Sequence, residues 1–446
     1  MVTKVELAKA LSEFCENSCP RVANDPKMLI IARPRWKKNS QNNFEPRTGA
    51  MWAIQIDSVP GVDEAVKLLE ADEAMSGHFD KLVGARHVGS MRIDAKTVLL
   101  NLIIGSMTTE PPYEFSQQRF DRQFDKIYSF FYESTFEWTL CAPIPGITNL
   151  PIKLDKNIDL VRFEEDEVER LEQVGLLHST RGGFSVIIGD VAVGIRVRLD
   201  AQKTISSGDD DPEFPDPDLR PGFGHPVMAD RAIADEVLSV LRLTGLTKVR
   251  CTGSGSFVSA PMIGGGIHFF SKPYDWSLSM MPRTYVVQEE KTQALWRSLK
   301  GGIWTKHPSI RAAIQRFNLA LDRYIDEDRL VDLIVAAEAL FLPDSQEHEL
   351  KYRLSLRAAK LSPMPETSEH DLFDRMKLAY DLRSGIVHTG AISRNNIKKL
   401  GDQSLREFVD DIEEILRLSI LELIKRAEAG ENVGEPCFWN GMILDG

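Results

Sequence analysis

Arg383 and His388 stand with four residues between them near the end of Leu372-Phe-Asp-Arg-Met-Lys-Leu-Ala-Tyr-Asp-Leu-Arg-Ser-Gly-Ile-Val-His-Thr-Gly390. An ordinary imidazole titrates at about 6.5, so a histidine can take and return a proton around neutral pH. A guanidinium stays charged, and its planar fork grips two oxygens of a phosphate. Together the two residue types suit chemistry on a phosphate ester. Spacing alone is weak evidence, because Arg220 and His225 repeat it in a Pro/Gly stretch that holds nothing rigid. Context has to decide.

At about 100° per residue, Met376, Ala379, Tyr380, Ile386 and Val387 form an apolar stripe. Arg383 falls in its middle and His388 toward its margin. Two earlier helical segments carry the same oddity. Glu338 lies between Ile334 and Phe341, and Arg357 lies between Leu354 and Leu361. Charges on apolar faces are seldom buried unpaired, which predicts a Glu338–Arg357 ion pair. On spacing alone, each of these charges also fits a structural ion pair or a snorkelling side chain.

Other chemistries lack their motifs. There is no Gly-x4-Gly-Lys, no His-Glu-x-x-His, no Cys-x2-Cys and no Gly-x-Ser-x-Gly. Cys15 and Cys19 come nearest to a metal-ligand spacing but have no second pair nearby, so no metal and no cofactor is expected. Gly253-Ser-Gly-Ser-Phe257 lacks the third glycine of a dinucleotide fingerprint and reads as a turn. The run Asp209 to Asp211 reads as a solvated loop.

The elements that must position these residues fall into two textures. The chain has 446 residues, 43% hydrophobic and 27% charged, with net charge -12. That balance excludes a broadly basic nucleic-acid coat. No apolar run reaches the roughly 18–20 residues of a membrane helix, and five scattered cysteines make no disulfide framework. A cytoplasmic protein with no membrane partner is expected. Residues 1–300 read as an α+β region. Helix spacing covers 5–11, 62–82, 113–132, 165–177 and 229–243; strand-like runs cover 28–32, 52–56, 97–104, 136–141 and 184–199. The Pro/Gly/Asp-rich stretch 206–226 is a loop and a candidate sub-boundary, and a second irregular patch runs from Gly253 to Gly266. Residues 306–430 read as an all-α bundle of five helices. The first begins at Pro308, and the next two span Arg329–Leu342 and about Glu347–Leu361. The fourth is capped by Ser368 and closed by Gly390, and the last runs from Gln403 to Ala429.

Three ordered blocks, Leu333-Ile-Val-Ala-Ala-Glu-Ala-Leu-Phe341, Tyr352-Arg-Leu-Ser-Leu-Arg-Ala-Ala359 and Tyr380-Asp-Leu-Arg-Ser-Gly-Ile-Val-His388, resemble the Apea-like branch of the HEPN family. The resemblance covers residues 306–430. It implies a HEPN helical bundle and a metal-independent endoribonuclease, with Arg383 and His388 as its catalytic pair. Ser384 stands where the family commonly has Asn, Asp or His, and Glu338, Arg357 and Tyr380 would support the site. The implied reaction is attack of a ribose 2′-OH on the adjacent phosphorus, leaving a 2′,3′-cyclic phosphate and a 5′-OH. Implied partners are RNA, with tRNA among the candidates, a second copy of the chain, and a phage-derived trigger in anti-phage or abortive-infection defence. The alternative is a non-catalytic HEPN dimerisation or regulatory module attached to an N-terminal sensing or catalytic domain. Local charge fits an RNA partner, since residues 350–400 carry ten Lys and Arg against five Asp and Glu.

Overall fold

The computed structural model describes the chain apart from residues 1–2, 26–27, 39–43, 53, 86–88, 109–111, 165–166, 169, 172–179, 182–183, 186–191, 207–225, 252, 259–267, 272–283, 345–348, 365 and 445–446. Arg220, His225, the run Asp209 to Asp211, Gly264 to Gly266, nearly all of the 206–226 loop and most of the helix expected at 165–177 lie outside the described residues. The chain divides into two compact units. One comprises Met1–Ala234 and Cys251–Thr284, the other Asp235–Arg250 and Tyr285–Gly446.

The first unit opens on α1 (Lys4–Asn24), started by a capping box between Thr3 and Glu6. Leu7, Leu11, Cys15, Cys19 and Val22 recur every three or four residues and are buried. Burial pushes both thiols up, Cys19 to about 11, and Cys19 Sγ rests 3.6 Å from Ser106 Oγ. The two cysteines are core. Next come the hairpin β1 (Leu29–Lys38) and β2 (Phe44–Trp52), α2 (Val62–Glu70), and the paired β3 (Leu82–Ala85) and β4 (Gly89–Arg92). α3 (Ala95–Ser106) and α4 (Gln117–Tyr132) follow.

Several expected elements change here. The helix expected over 62–82 ends at Glu70, because Asp72 caps a separate turn by accepting from the Met75 amide. The strand expected over 52–56 ends at Trp52, and Ile56–Ser58 forms a 3₁₀ turn. The apolar run 97–104, expected as a strand, is inside α3. Asp94 accepts from the Thr97 amide at 2.6 Å and starts the helix. Val98, Leu99, Leu102 and Ile103 are buried on one face of the helix, while Leu100 and Ile104 on the other face are half-buried, so nearly unbroken apolarity here serves a mostly buried helix.

A six-stranded antiparallel sheet follows, built from β5 (Thr135–Pro143), β6 (Ile152–Lys153), β7 (Ile158–Arg162), β8 (Val193–Gln202) and two strands that return much later. β9 (Thr204–Ser206) pairs with β3 instead. After α5 (Pro226–Leu243), which spans the boundary between the units, β10 (Gly253–Val258) and β11 (His268–Ser271) complete the sheet in the order β11-β10-β5-β8-β7-β6. Exposed Thr135 and Glu137 alternate with buried Phe136 and Trp138 in β5, and from Thr139 onward every residue is buried. The turn expected at Gly253–Ser256 is a strand, since small residues fit a covered position beside β5. At the C-terminal end of α4, the Lys203 ammonium donates to the Phe130 carbonyl and, at 3.3 Å, to that of Phe131. These are acceptors that a helix end leaves open. Half-burial pulls this amine down to about 8.

The second unit is helical: α6 (Glu289–Ser298), α7 (Pro308–Leu321), α8 (Asp326–Phe341), α9 (Leu350–Leu361), α10 (Glu369–Thr389), α11 (Arg394–Lys398), α12 (Leu405–Glu428) and α13 (Pro436–Leu444). It takes in more chain than the 306–430 segment. Arg242, fully buried, donates to Asp322, to the Asn318 carbonyl at 3.1 Å and to the Val249 carbonyl at 3.2 Å. That network builds Asp235–Arg250 into the bundle. On α12, Glu413 is buried against Arg329 of α8. Among the described residues no helix is long and apolar enough to cross a membrane.

Candidate functional site

The candidate residues sit on α10, and local chemistry fixes both its ends. The Ser368 hydroxyl accepts from the Asp371 amide at 3.1 Å. Gly390 closes the helix at φ 70, a left-handed conformation that glycine adopts without cost, and its amide returns to Ile386 at 2.9 Å. Within the last turns, a Cβ on Gly385 would stand 3.2 Å from the Ala391 carbonyl oxygen. The absent side chain lets the following segment fold back, and the Thr389 hydroxyl donates to Gly385 and Ala391 carbonyls.

Leu372, Met376, Ala379 and Leu382 form the buried stripe of α10, packed on α8, α9 and α12 of the same chain. Arg383 borders this stripe with 23% of its side chain exposed, and Ile386 is half-buried, but Val387 is 51% exposed. His388 is exposed. The expected placement of His388 at the stripe's margin is therefore corrected. Five residues turn a helix by about 140° beyond a full turn, which carries His388 to the side opposite the core. Its ring makes no hydrogen bond with the described residues. Ser384, half-buried, lies on that outer side as well.

The Glu338–Arg357 pair does not form. Arg383 Nη2 meets Glu338 Oε2 at 3.5 Å, joining α10 to α8. Arg357 turns to Asp344, just beyond α8. Its Nη1 and Nη2 donate to the carboxylate at 2.9 and 2.8 Å, and Nη1 also donates to the Phe341 carbonyl at 2.7 Å. Its planar group lies 4.9 Å from the Trp439 ring on α13. Arg353 Nη2 also donates to both Asp344 oxygens, at 2.7 and 2.6 Å. Two guanidinium groups pull the Asp344 carboxyl down to about 2, hydrogen bonding by Arg357 leading. With 5% of its side chain exposed, Arg357 is a structural cation. Sequence reasoning missed Asp344 and Trp439. The Pro343-Asp344 turn signal marks where α8 stops, but nothing local says which charge it will meet.

Tyr380, half-buried, has its hydroxyl pushed up by burial and by the Glu338 charge, so it remains a neutral donor near neutral pH. Beyond His388, Arg394, Lys398 and Lys399 on or beside α11 are exposed, and no carboxylate among the described residues lies within ion-pair reach of them. Thus α10 ends with an uncommitted imidazole, an arginine held by Glu338 one turn back, and a run of open cations. Among the described residues no three His, Cys, Asp or Glu side chains gather as a metal-ligand set. The chain matches no protein-family profile, no curated protein sequence and no solved structure.

Proposed function

We propose that the helical unit is a HEPN-type endoribonuclease that works as a homodimer in the cytoplasm, in defence against phage. The observation that carries this reading is the free, exposed imidazole of His388 on the same helix as a half-buried arginine five residues earlier. An accessible histidine with no hydrogen bond of its own is available for proton transfer. His388 takes the proton of a ribose 2′-OH as its oxygen attacks the adjacent phosphorus. The bond to the 5′-oxygen breaks, that oxygen takes a proton from water, and a 2′,3′-cyclic phosphate remains. Arg383 neutralises the charge that builds on the non-bridging oxygens. The divergence of about 140° between the two side chains supports a site shared by two copies, in which each imidazole meets the partner's arginine across a two-fold axis. The cations of α11 favour a polyanion such as tRNA. The first unit then recruits substrate or senses a phage product.

The test is incubation of the full chain and His388→Ala with total RNA in EDTA, followed by end-group analysis. Cyclic phosphate ends from wild type alone support the reading; equal cleavage by the variant overturns it. A second reading, a HEPN module kept for dimerisation, is favoured by one observation. Arg383 already has a structural partner in Glu338.

A further inference from the structure

The outer face of α10 carries more than His388. Phe373, Lys377, Ser384 and His388 lie within about 60° of one another around the helix axis. Lys377 and His388 are exposed, and Phe373 and Ser384 half-buried. From α9, Tyr352 meets Phe373 edge to face, with ring centroids 5.5 Å apart, and Lys377 Nζ lies 5.6 Å from the Phe373 centroid. Tyr352 is 54% exposed, so this ring pair presents itself to solvent. Two carboxylates of α10 stand near this face. Asp381 is paired with Lys351 at 2.9 Å, and Asp374 lies 3.5 Å from His370, which offsets its charge only when the imidazole is protonated. Lys377 meets no carboxylate among the described residues and keeps its charge open.

Resting on the ribonuclease reading, we infer that Tyr352, Phe373 and Lys377 form a base-stacking subsite for single-stranded RNA whose reacting phosphate sits at His388. An aromatic face with a cation at its rim binds a nucleobase by stacking and its phosphate by charge. A protein helix would instead require a continuous apolar stripe, and this face alternates rings with cations. Lys377 and His388 are eleven residues apart, about 16 Å along the axis, which a few extended nucleotides span. A paired base keeps its faces covered by its neighbours, so the subsite selects single strands over duplex.

The experiment is fluorescence anisotropy on the full chain with a 12-nucleotide 2′-O-methyl RNA, which lacks the attacking hydroxyl and stays intact. Tyr352→Ala should weaken binding about tenfold, the loss of one stacked base, while Tyr352→Phe stays within about twofold of wild type. An abasic oligomer of equal charge should bind wild type and Tyr352→Ala alike. Equal binding of the base-bearing strand by wild type and Tyr352→Ala overturns the inference, and so does a wild type that binds no single strand. The enzyme reading fails separately. A Tyr352-dependent affinity without any His388-dependent cleavage retains the subsite and removes the ribonuclease.

Discussion

Arg383 reaches Glu338 at 3.5 Å, so the arginine of the candidate site is held by a neighbouring helix before any phosphate arrives. A partly exposed pair of this kind contributes at most about 1 kcal/mol to stability. Glu338→Gln should therefore leave the thermal midpoint nearly unchanged and free the guanidinium to bind RNA more tightly. Arg383→Ala should lower cleavage about 100-fold or more. Melting curves and single-turnover rates on both variants check this. A Glu338→Gln chain that unfolds at physiological temperature would make the pair structural.

His388 projects into solvent and supports nothing in the fold. Its replacement by alanine should move the thermal midpoint by no more than about 2 °C, as expected of surface changes within about 0.5 kcal/mol. Cleavage should fall by about 10²–10⁴. Unequal losses in rate and stability separate a proton-transfer role from a packing role.

Asp344 holds two arginines with only 4% of its side chain exposed. Asp344→Ala strands both charges, and a broken buried pair costs about 3–5 kcal/mol. The pH dependence has a definite sign. Because the folded carboxyl is depressed to about 2, its contribution is complete above the unfolded value of about 3.9. It is lost as pH falls from there toward 2. Acid titration of urea midpoints should lose that limb in Asp344→Asn.

Lys203 behaves in the opposite sense. Its folded value near 8 lies below the ordinary lysine value of 10.5, so between these values the unfolded chain binds more protons. The stability of the first unit should rise with pH across that window. Lys203→Met removes this contribution. The difference between wild-type and variant denaturation midpoints at pH 7.5 and pH 10 measures it; an unchanged difference would show that the amine is unperturbed.

What the sequence reveals here divides by range. The ends of α10 are legible because Ser368 and Gly390 act within a few residues of themselves, and the helices of the bundle follow from spacing and caps. The ion pairs are not, since Glu338, Arg357, Asp344 and Arg383 make equally good partners on charge, and only packing on α13 sends Arg357 to Asp344 and Trp439. α3 misleads for a related reason. A run that is apolar on every side has no period to read until its surroundings are known. The rotation of about 140° that takes His388 away from the core is itself legible in the spacing, whereas the exposure of the last turn of α10 depends on how soon the neighbouring helices stop.

The buried Arg242 also sets an order of events during synthesis. Its partner Asp322 is 80 residues further along the chain. At about 5–20 residues per second, the arginine therefore waits roughly 4–16 s after translation for the carboxylate that neutralises it. During that interval β10 and β11 are made, and the six-stranded sheet gains its last two strands. The first unit can close while Asp235–Arg250 is still without its neighbours. The ribosome thus delivers the sheet complete and the bundle unfinished, with Arg242 as the latch that shuts when α7 appears.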